Sequence, residues 1–292
     1  MKRIPPHALL ILATILWGGN FVIGRAVAED VPPFTLAFFR WIVALIVFLP
    51  IVWTSLKKDW PKIRENFVIV IFMSITGVAT FNTLVYIALH YTTSINASLM
   101  NSTTPIMIYL LSFIFIKEKL TKKQLIGALL SLVGVLFIIS RGSLELITTL
   151  SFNFGDMLMI IAVLSWSVYS LLVKQYSNKL PGNTTFFTTI AIGIILLTPF
   201  FFYEWNTMDE AIHWHIGSIS AILYIGILAS IVAFLSWNSG VVKLGASKAG
   251  VFLNFIPLFA TIFAVLFIGE TLQLSQFFGA AFVISGVYLA TK

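Results

Sequence analysis

The chain has 292 residues, 59% of them hydrophobic and 10% charged, with 27 Phe and a mean hydropathy of +1.00. Runs of about 20 mostly apolar residues recur from end to end, the length that crosses ~30 Å of hydrocarbon as helix, which excludes a pair of soluble domains. The absence of Cys excludes disulfides, thiolate metal sites and thiol catalysis, and the net charge of +7 is decided by its placement, below.

Ten spans are predicted, at 7–27, 33–53, 67–90, 96–116, 123–140, 155–175, 183–203, 216–241, 249–268 and 274–291. No connecting segment is long enough to fold alone. Lys2 and Arg3, an apolar stretch and Ala26-Val27-Ala28 imitate a secretory signal. That stretch is long, however, Arg25 interrupts it, and Ala13…Trp17 recurs as Ala162…Trp166 at an offset of 149. The segment is therefore read as a span.

A second echo is stronger. Ala97–Ser140 laid on Ala249–Lys292, at an offset of 152, matches at eleven positions that include Pro105, Glu118, Gln124, Gly127 and Gly134. Shared Leu or Ile would mean little in so apolar a chain, but Pro, Glu, Gln and Gly in register mean an internal duplication. Span 1 resembles span 6 and span 4 resembles span 9, so the unit is five helices. The repeats are 1–148 and 149–292. An odd number of spans inserts the second copy upside down, which puts Glu118 and its counterpart Glu270 at opposite faces.

Orientation follows from the basic residues. With ten spans both termini share a side, and the loops there hold fifteen of the eighteen Lys and Arg, among them Lys58, Lys122, Lys179 and Lys243. Glu29, Asp30, Glu145, Asp156, Glu204, Asp209, Glu210 and Glu270 fall opposite. Both termini are expected in the cytoplasm, with the chain in a cell membrane. The asymmetry leaves no reason to expect nucleic acid as a partner. An all-α polytopic protein of ten helices in two inverted repeats suits alternating access to a midplane site.

These residues resemble the EamA-like family of the drug/metabolite transporter superfamily. Trp17-Gly18-Gly19-Asn20-Phe21 with Arg25 is similar to that family's opening helix, and Phe38-Phe39-Arg40 to its second. Gly155-Asp156 leading to Trp166 is similar to the start of its second repeat, and the Pro…Glu…Gln…Gly hairpin in both halves is the most specific match. The resemblance implies a carrier of small metabolites, often an exporter of amino acids or related compounds. Ser167 and Val168 stand where span 1 has Gly18 and Gly19, so packing around the two Trp need not be symmetric.

Polar groups within spans face the bundle interior. The substrate-binding candidates are Trp17, Asn20, Arg40, Asn82, Tyr86, Asn101, Trp166, Tyr169, Trp237, Asn238 and Asn254. Trp17 and Asn20 share a helix face, as do Asn82 with Tyr86 and Trp166 with Tyr169. Asn101 and Asn254 each lie one turn before a span proline, Pro105 and Pro257. Each Asn or Tyr has a second reading as interhelical glue worth roughly 0.6–2 kcal/mol. Trp53, Trp60, Trp205 and Trp214 suit the membrane interface or loops.

Arg40 is the sharpest candidate, since a central Arg costs roughly 2.5–3.5 kcal/mol on insertion scales and no span interior offers an acid. Three accounts stand open: the side chain snorkels to the outer face, backbone carbonyls satisfy it, or its counter-ion is the substrate. Arg25 pairs with Glu29 four residues on. Small multidrug antiporters of the same superfamily rely on an intramembrane Glu that span 1 lacks, which disfavours a proton-coupled cation exporter. His90 is read as a surface residue and His213 and His215 as loop residues. Asp156, at the start of span 6, suits a helix cap.

The expectation is thus a secondary exporter of small metabolites. An importer, a carrier of sugar-like or aromatic solutes, and a receptor without transport stand as alternatives. No cofactor or metal is expected. The partners are a small-molecule substrate and the lipid bilayer, and a monomer is compatible with the sequence.

Overall fold

The computed structural model describes residues 4–27, 30–88, 91–92, 97, 100–143, 145, 148, 153–207, 214–268 and 273–292. Glu29, His90, Asp209, Glu210, His213 and Glu270, with the side chain of Arg25, lie outside the described residues.

Among the described residues the secondary structure is helical throughout. The helices are α1 (Pro6–Ala26), α2 (Pro33–Glu65), α3 (Phe67–Ala88), α4 (Thr104–Ile116), α5 (Lys122–Ile139), α6 (Phe154–Tyr176), α7 (Gly182–Thr207), α8 (Ile216–Leu244), α9 (Ala246–Phe267) and α10 (Leu274–Thr291). Nine of them are long and apolar enough to span a membrane, and α4 is a shorter apolar helix. One boundary differs clearly from expectation. α2 does not stop at residue 53 but runs for 33 residues, through Pro50 and Pro61. At about 1.5 Å per residue that is roughly 50 Å, well beyond the hydrocarbon. Hydropathy marks where the apolar stretch ends, whereas Lys57, Lys58 and Lys62 are good helix formers that carry the backbone ladder onward.

The inverted repeat is visible in the packing. A Cβ on Gly127 would lie 2.5 Å from the carbonyl oxygen of Gly286, and one on Gly134 would lie 2.6 Å from that of Gly279. The early glycine of α5 thus meets the late glycine of α10, and the reverse, so these two equivalent helices run antiparallel in close backbone contact. The other helices interlace. α1 packs against α8 and α9 of the second repeat, while α6 packs against α3 and α4 of the first. α2 and α7 pack on each other.

Both termini lie at one end, called the inner end here. Lys243 Nζ donates to the Ile4 carbonyl oxygen at 3.3 Å, and Lys248 Nζ to that of Thr291 at 3.2 Å. Glu118 joins them through the Ser247 hydroxyl at 2.8 Å. At the outer end, Asn153 and Asp156 form a capping box on α6, and the Thr92 hydroxyl donates to Asp156 Oδ1 at 2.6 Å. That is the capping role expected of Asp156.

Among the described residues three helices carry a π-helical stretch, Ser112–Ile116 of α4 being one, and the other two stretches lie at matching places. Ser74–Thr80 of α3 and Ile225–Val232 of α8 are π-helical, and their first residues are 151 positions apart. Such segments loosen the ladder where other helices approach.

Because α5 and α10 touch backbone to backbone, Gly134→Leu should lower the melting temperature of purified protein in detergent, by about 1–3 kcal/mol of overpacking or more. Gly182→Ala, where an added Cβ meets nothing within 4 Å, should leave it unchanged. An unshifted Gly134→Leu would contradict the packing.

Candidate functional site

The centre of the bundle is aromatic. The Trp17 and Trp166 rings meet edge to face with centroids 5.2 Å apart, although 149 residues separate them in sequence. Phe234 of α8 contacts both, at 5.8 and 5.3 Å, and Trp237 lies 5.7 Å from Trp17. Tyr169 and Phe81 complete the cluster around Trp166 at 5.3 and 5.0 Å. These geometries suit aromatic quadrupoles, each pair adding about 0.5–1.5 kcal/mol beyond burial.

The loosened helices anchor this cluster. Trp17 Nε1 donates to the Ala229 carbonyl oxygen at 3.0 Å, within the π segment of α8. Ser165 Oγ donates to the Thr76 carbonyl oxygen at 2.9 Å, within that of α3. Gly77 in the same segment makes room for Tyr169, whose ring would lie 2.3 Å from a Cβ there. The two Trp are not equivalent, since Trp166 Nε1 is buried with no partner among the described residues. Gly18 and Gly19 let second-repeat residues come close beside Trp17: a Cβ on Gly18 would meet Phe259 at 2.8 Å, and one on Gly19 the Tyr224 hydroxyl at 2.2 Å.

Outward of the aromatic cluster sits Arg40, only 1% exposed. Nε donates to Ser230 Oγ at 2.9 Å, and Nη1 donates to Asn82 Oδ1 at 3.0 Å and to the Tyr86 hydroxyl at 3.1 Å. Its Cζ lies 5.0 Å from the Trp41 ring centre, a cation–π distance. Ser230 can accept because its own hydroxyl donates to the Ile225 carbonyl oxygen at 2.9 Å, five residues back, a reach that the π segment provides. Two of the three accounts of Arg40 are thereby corrected. The side chain does not snorkel, because it is enclosed, and neutral side-chain oxygens rather than backbone carbonyls hold it. Among the described residues no carboxylate pairs with it.

Among the described residues Asn82 Nδ2 and Asn20 Oδ1 also have no hydrogen-bond partner and are buried. Of these groups and the Trp166 indole, only Asn82 is on a helix that holds the cation, Asn20 being on α1 and Trp166 on α6. The Trp41 Nε1 beside Arg40 also has no partner among the described residues, so polar capacity is left unused both at the cation and next to it.

On the inner side the Asn238 amide donates to the Tyr169 hydroxyl at 2.9 Å, and Trp237 Nε1 donates to Ser170 Oγ at 3.3 Å. Tyr169 and Asn238 border a cavity of about 270 Å³ between α6, α7 and α8. It extends past Phe186 and Thr185 to Ser177, Gly182 and Lys243 at the inner end. The remaining candidates stand apart. Asn254 is fully buried and donates to Ser131 Oγ of α5 at 2.7 Å, and the Asn101 carbonyl oxygen accepts from the Thr104 hydroxyl.

Sequence reasoning missed Ser230, Phe234, Phe81 and Trp41. Ser230, Phe234 and Trp237 share one face of α8 at helical spacing, a signal that an apolar chain offers in many places.

The chain matches the EamA-like transporter family over residues 5–140 and 153–292. It is 29% identical to the Bacillus subtilis (strain 168) protein named "Uncharacterized transporter YyaM", over 100% of this chain and 95% of that one. It is also 29% identical to "Uncharacterized transporter YetK" of the same organism, over 99% and 87%. An "Uncharacterized transporter" of Archaeoglobus fulgidus is again 29% identical, over 98% and 96%. A protein of known crystal structure has the same fold, with a TM-score of 0.77 over 98% of this chain and 96% of that one, at 19% identity.

The unequal indoles give a measurable asymmetry. Trp17→Phe removes a buried hydrogen bond and should cost about 1 kcal/mol, read as a lower melting temperature in detergent. Trp166→Phe removes an unpartnered N–H and should cost less. A larger loss at Trp166 would contradict the assignment.

Proposed function

Because the chain belongs to the EamA-like transporter family and is a multi-pass membrane transporter, we propose that it is a secondary exporter of small carboxylate-bearing metabolites of the amino-acid type. Arg40 carries the reading: a buried cation held by neutral oxygens, next to an aromatic cluster, with no carboxylate partner among the described residues. Guanidinium grips carboxylate by two parallel hydrogen bonds, which an ammonium cannot do. Since Nε and Nη1 are engaged here, the carboxylate would take Nη2 and displace either Ser230 or one of the Asn82 and Tyr86 contacts.

The roles follow from the chemistry of each group. Arg40 and the free Asn82 Nδ2 take the carboxylate, and Asn20 Oδ1 is an acceptor for an ammonium group. Trp17 and Trp166 take the apolar part of the solute. Tyr86, Tyr169, Trp237 and Asn238 frame the path on either side. Asn101 and Asn254 serve packing in this reading, with Asn254 bonded to α5. The repeats 1–148 and 149–292 contribute equally, but the moving groups are α1–α8–α9 and α6–α3–α4, as the interlaced contacts favour. With both termini in the cytoplasm of a cell-membrane protein, the inner cavity opens to the cytoplasm, which supports loading from inside. The aromatic cluster favours solutes with an apolar side chain over sugars.

Flux of radiolabelled amino acids and their amides in proteoliposomes tests the reading. Arg40→Lys should lower carboxylate flux by about tenfold and Arg40→Gln by more, within the range for breaking a buried charge pair, while amide flux should barely respond. Equal responses of acid and amide would make Arg40 structural. Binding without flux would favour the receptor alternative. For topology, cysteines replacing Lys58, Lys122 and Lys179 should label only from the cytoplasm, and one replacing Glu145 only from outside. Any reversal breaks the orientation.

A further inference from the structure

The two ends of the bundle are related by the inverted repeat, yet they are not in the same state. Positions along α1–α2 correspond to those along α6–α7 at an offset of 149, which pairs Trp17 with Trp166, Pro32 with Pro181 and Thr35 with Thr184. At the outer end Val27, Val31 and Leu36 are buried together against Ala221, Ile222 and Ile225 of α8. Their counterparts at the inner end, Tyr176, Leu180 and Thr185, border the cavity instead. Leu180 and Thr185 are themselves buried, so the difference is one of degree. Among the described residues the outer set packs into an apolar cluster, whereas a cavity reaches the inner set and leaves that end less fully packed.

A carboxylate marks each end of the antiparallel α2–α7 pair, whose contacts run from Thr35–Glu204 through Phe38–Phe201 and Phe48–Phe186 to Asp59–Thr184. α2 starts after Pro32, whose side chain has no acceptor to cap the free N–H groups. Glu204, near the end of α7, supplies one. Its carboxylate accepts from Phe34 N at 3.1 Å, Thr35 N at 2.7 Å and the Thr35 hydroxyl at 2.8 Å. An anion on the first N–H groups of a 33-residue helix is favoured by the helix dipole as well as by the bonds themselves. At the inner end Pro181 likewise offers no cap to α7. The residue equivalent to Glu204 is Ser55, and the acid is Asp59, one turn further along α2. Asp59 Oδ2 accepts from the Thr184 hydroxyl at 2.6 Å, the counterpart of the Thr35 contact, with Ser55 Oγ 3.2 Å from the same hydroxyl. Among the described residues no carboxylate reaches the N–H groups of Asn183 and Thr184, the counterparts of the two that Glu204 holds. The outer contact is complete and the inner one is made only through the hydroxyl.

We infer that Glu204 and Asp59 are alternating latches that control which end of the carrier is open. When the inner cavity closes, Asp59 moves onto the Asn183 and Thr184 N–H groups, and Glu204 leaves Phe34 and Thr35 as the outer end parts. α2 and α7 carry one latch at each end, so a rocking motion that brings one pair of ends together separates the other. The inference rests on the alternating-access reading above and adds to it the groups that bias the two states. Neither acid is placed in the solute site, so they act as positioning residues.

The absence of Cys allows a direct test on the full-length protein in detergent. Leu36→Cys reports on the outer end and Ser239→Cys, beside the inner cavity, on the inner end, each through its rate of labelling by N-ethylmaleimide. With the latches otherwise intact, Ser239→Cys should label quickly and Leu36→Cys slowly but to completion. Adding Glu204→Gln, which weakens the charge-assisted bonds of the outer latch, should raise the outer-to-inner rate ratio by about tenfold. Asp59→Asn should shift the ratio the other way, and Glu204→Asp should fall between Glu204→Gln and the native residue. A Glu204→Gln protein that speeds both reporters is merely loosened, and shifts of the same sign from the two acids are equally incompatible with latches. If Leu36→Cys labels on the native background but neither acid variant moves the ratio, the latches are wrong and alternating access stands. If Leu36→Cys stays unlabelled in every variant, alternating access fails and the latches fail with it.

Discussion

A guanidinium cation buried in a membrane bundle needs oxygen atoms around it, and the arrangement of the bundle's middle follows from supplying them without a carboxylate. Asn82 and Tyr86 come from one face of α3, one turn apart. Ser230 comes from α8, where the π segment gives its hydroxyl a carbonyl to donate to and leaves its lone pair for Arg40. The same loosened stretch accepts the Trp17 indole, so the cation cage and the aromatic cluster share one support. Trp41 joins them directly, lying under the guanidinium and against Phe234 at 5.3 Å. Ligating a cation by neutral groups leaves its charge uncompensated, and such a site attracts an anion that can be exchanged.

The inverted repeat supplies the other half of the behaviour. Equivalent helices face each other across α5–α10 and α2–α7, while α1 and α6 each cross into the opposite repeat. Helices that touch through Gly127, Gly134, Gly279 and Gly286 come too close to slide apart easily. Long α2 and α7 meet through side chains along their length, with Phe38 stacked on Phe201 and Phe48 tilted against Phe186, and through the Glu204 and Asp59 contacts at their ends. A carrier needs both kinds of contact, one that holds and one that can be exchanged for its counterpart.

Much of this was legible in the sequence, for particular reasons. Pro, Glu, Gln and Gly are scarce in apolar helices, so their recurrence at a fixed offset exposed the duplication. Trp17, Trp166 and Arg40 stood out because bulky polar-edged or charged groups at mid-span have few innocuous uses. Asn82 and Asn254 could not be told apart in the same way. Both face inward, and only the rotation of each helix decides that one meets Arg40 and the other Ser131. Ser230 and Phe234 were invisible because a serine or phenylalanine in such a chain is ordinary until the π segment turns it toward the cation. The length of α2 was hidden because hydropathy stops at the lysines and the helix does not. Glu204 read as one of several outer acids, and its contact with the start of α2 spans 169 residues of sequence.

The central claim is that the charge of Arg40 is completed by the solute. Thermal stability of the purified native protein measures this most directly, across pairs of small metabolites that share a side chain but end in carboxylate or in amide. Ligands that bind the folded state stabilise it by RT ln(1 + L/Kd), where L is the free ligand concentration, and so raise its melting temperature as that concentration rises. Some of the acids should raise it in a concentration-dependent way while their amides leave it unchanged, most clearly for apolar side chains that suit the aromatic cluster. Equal stabilisation by acid and amide would contradict the account, because the buried cation would then have no part in recognition.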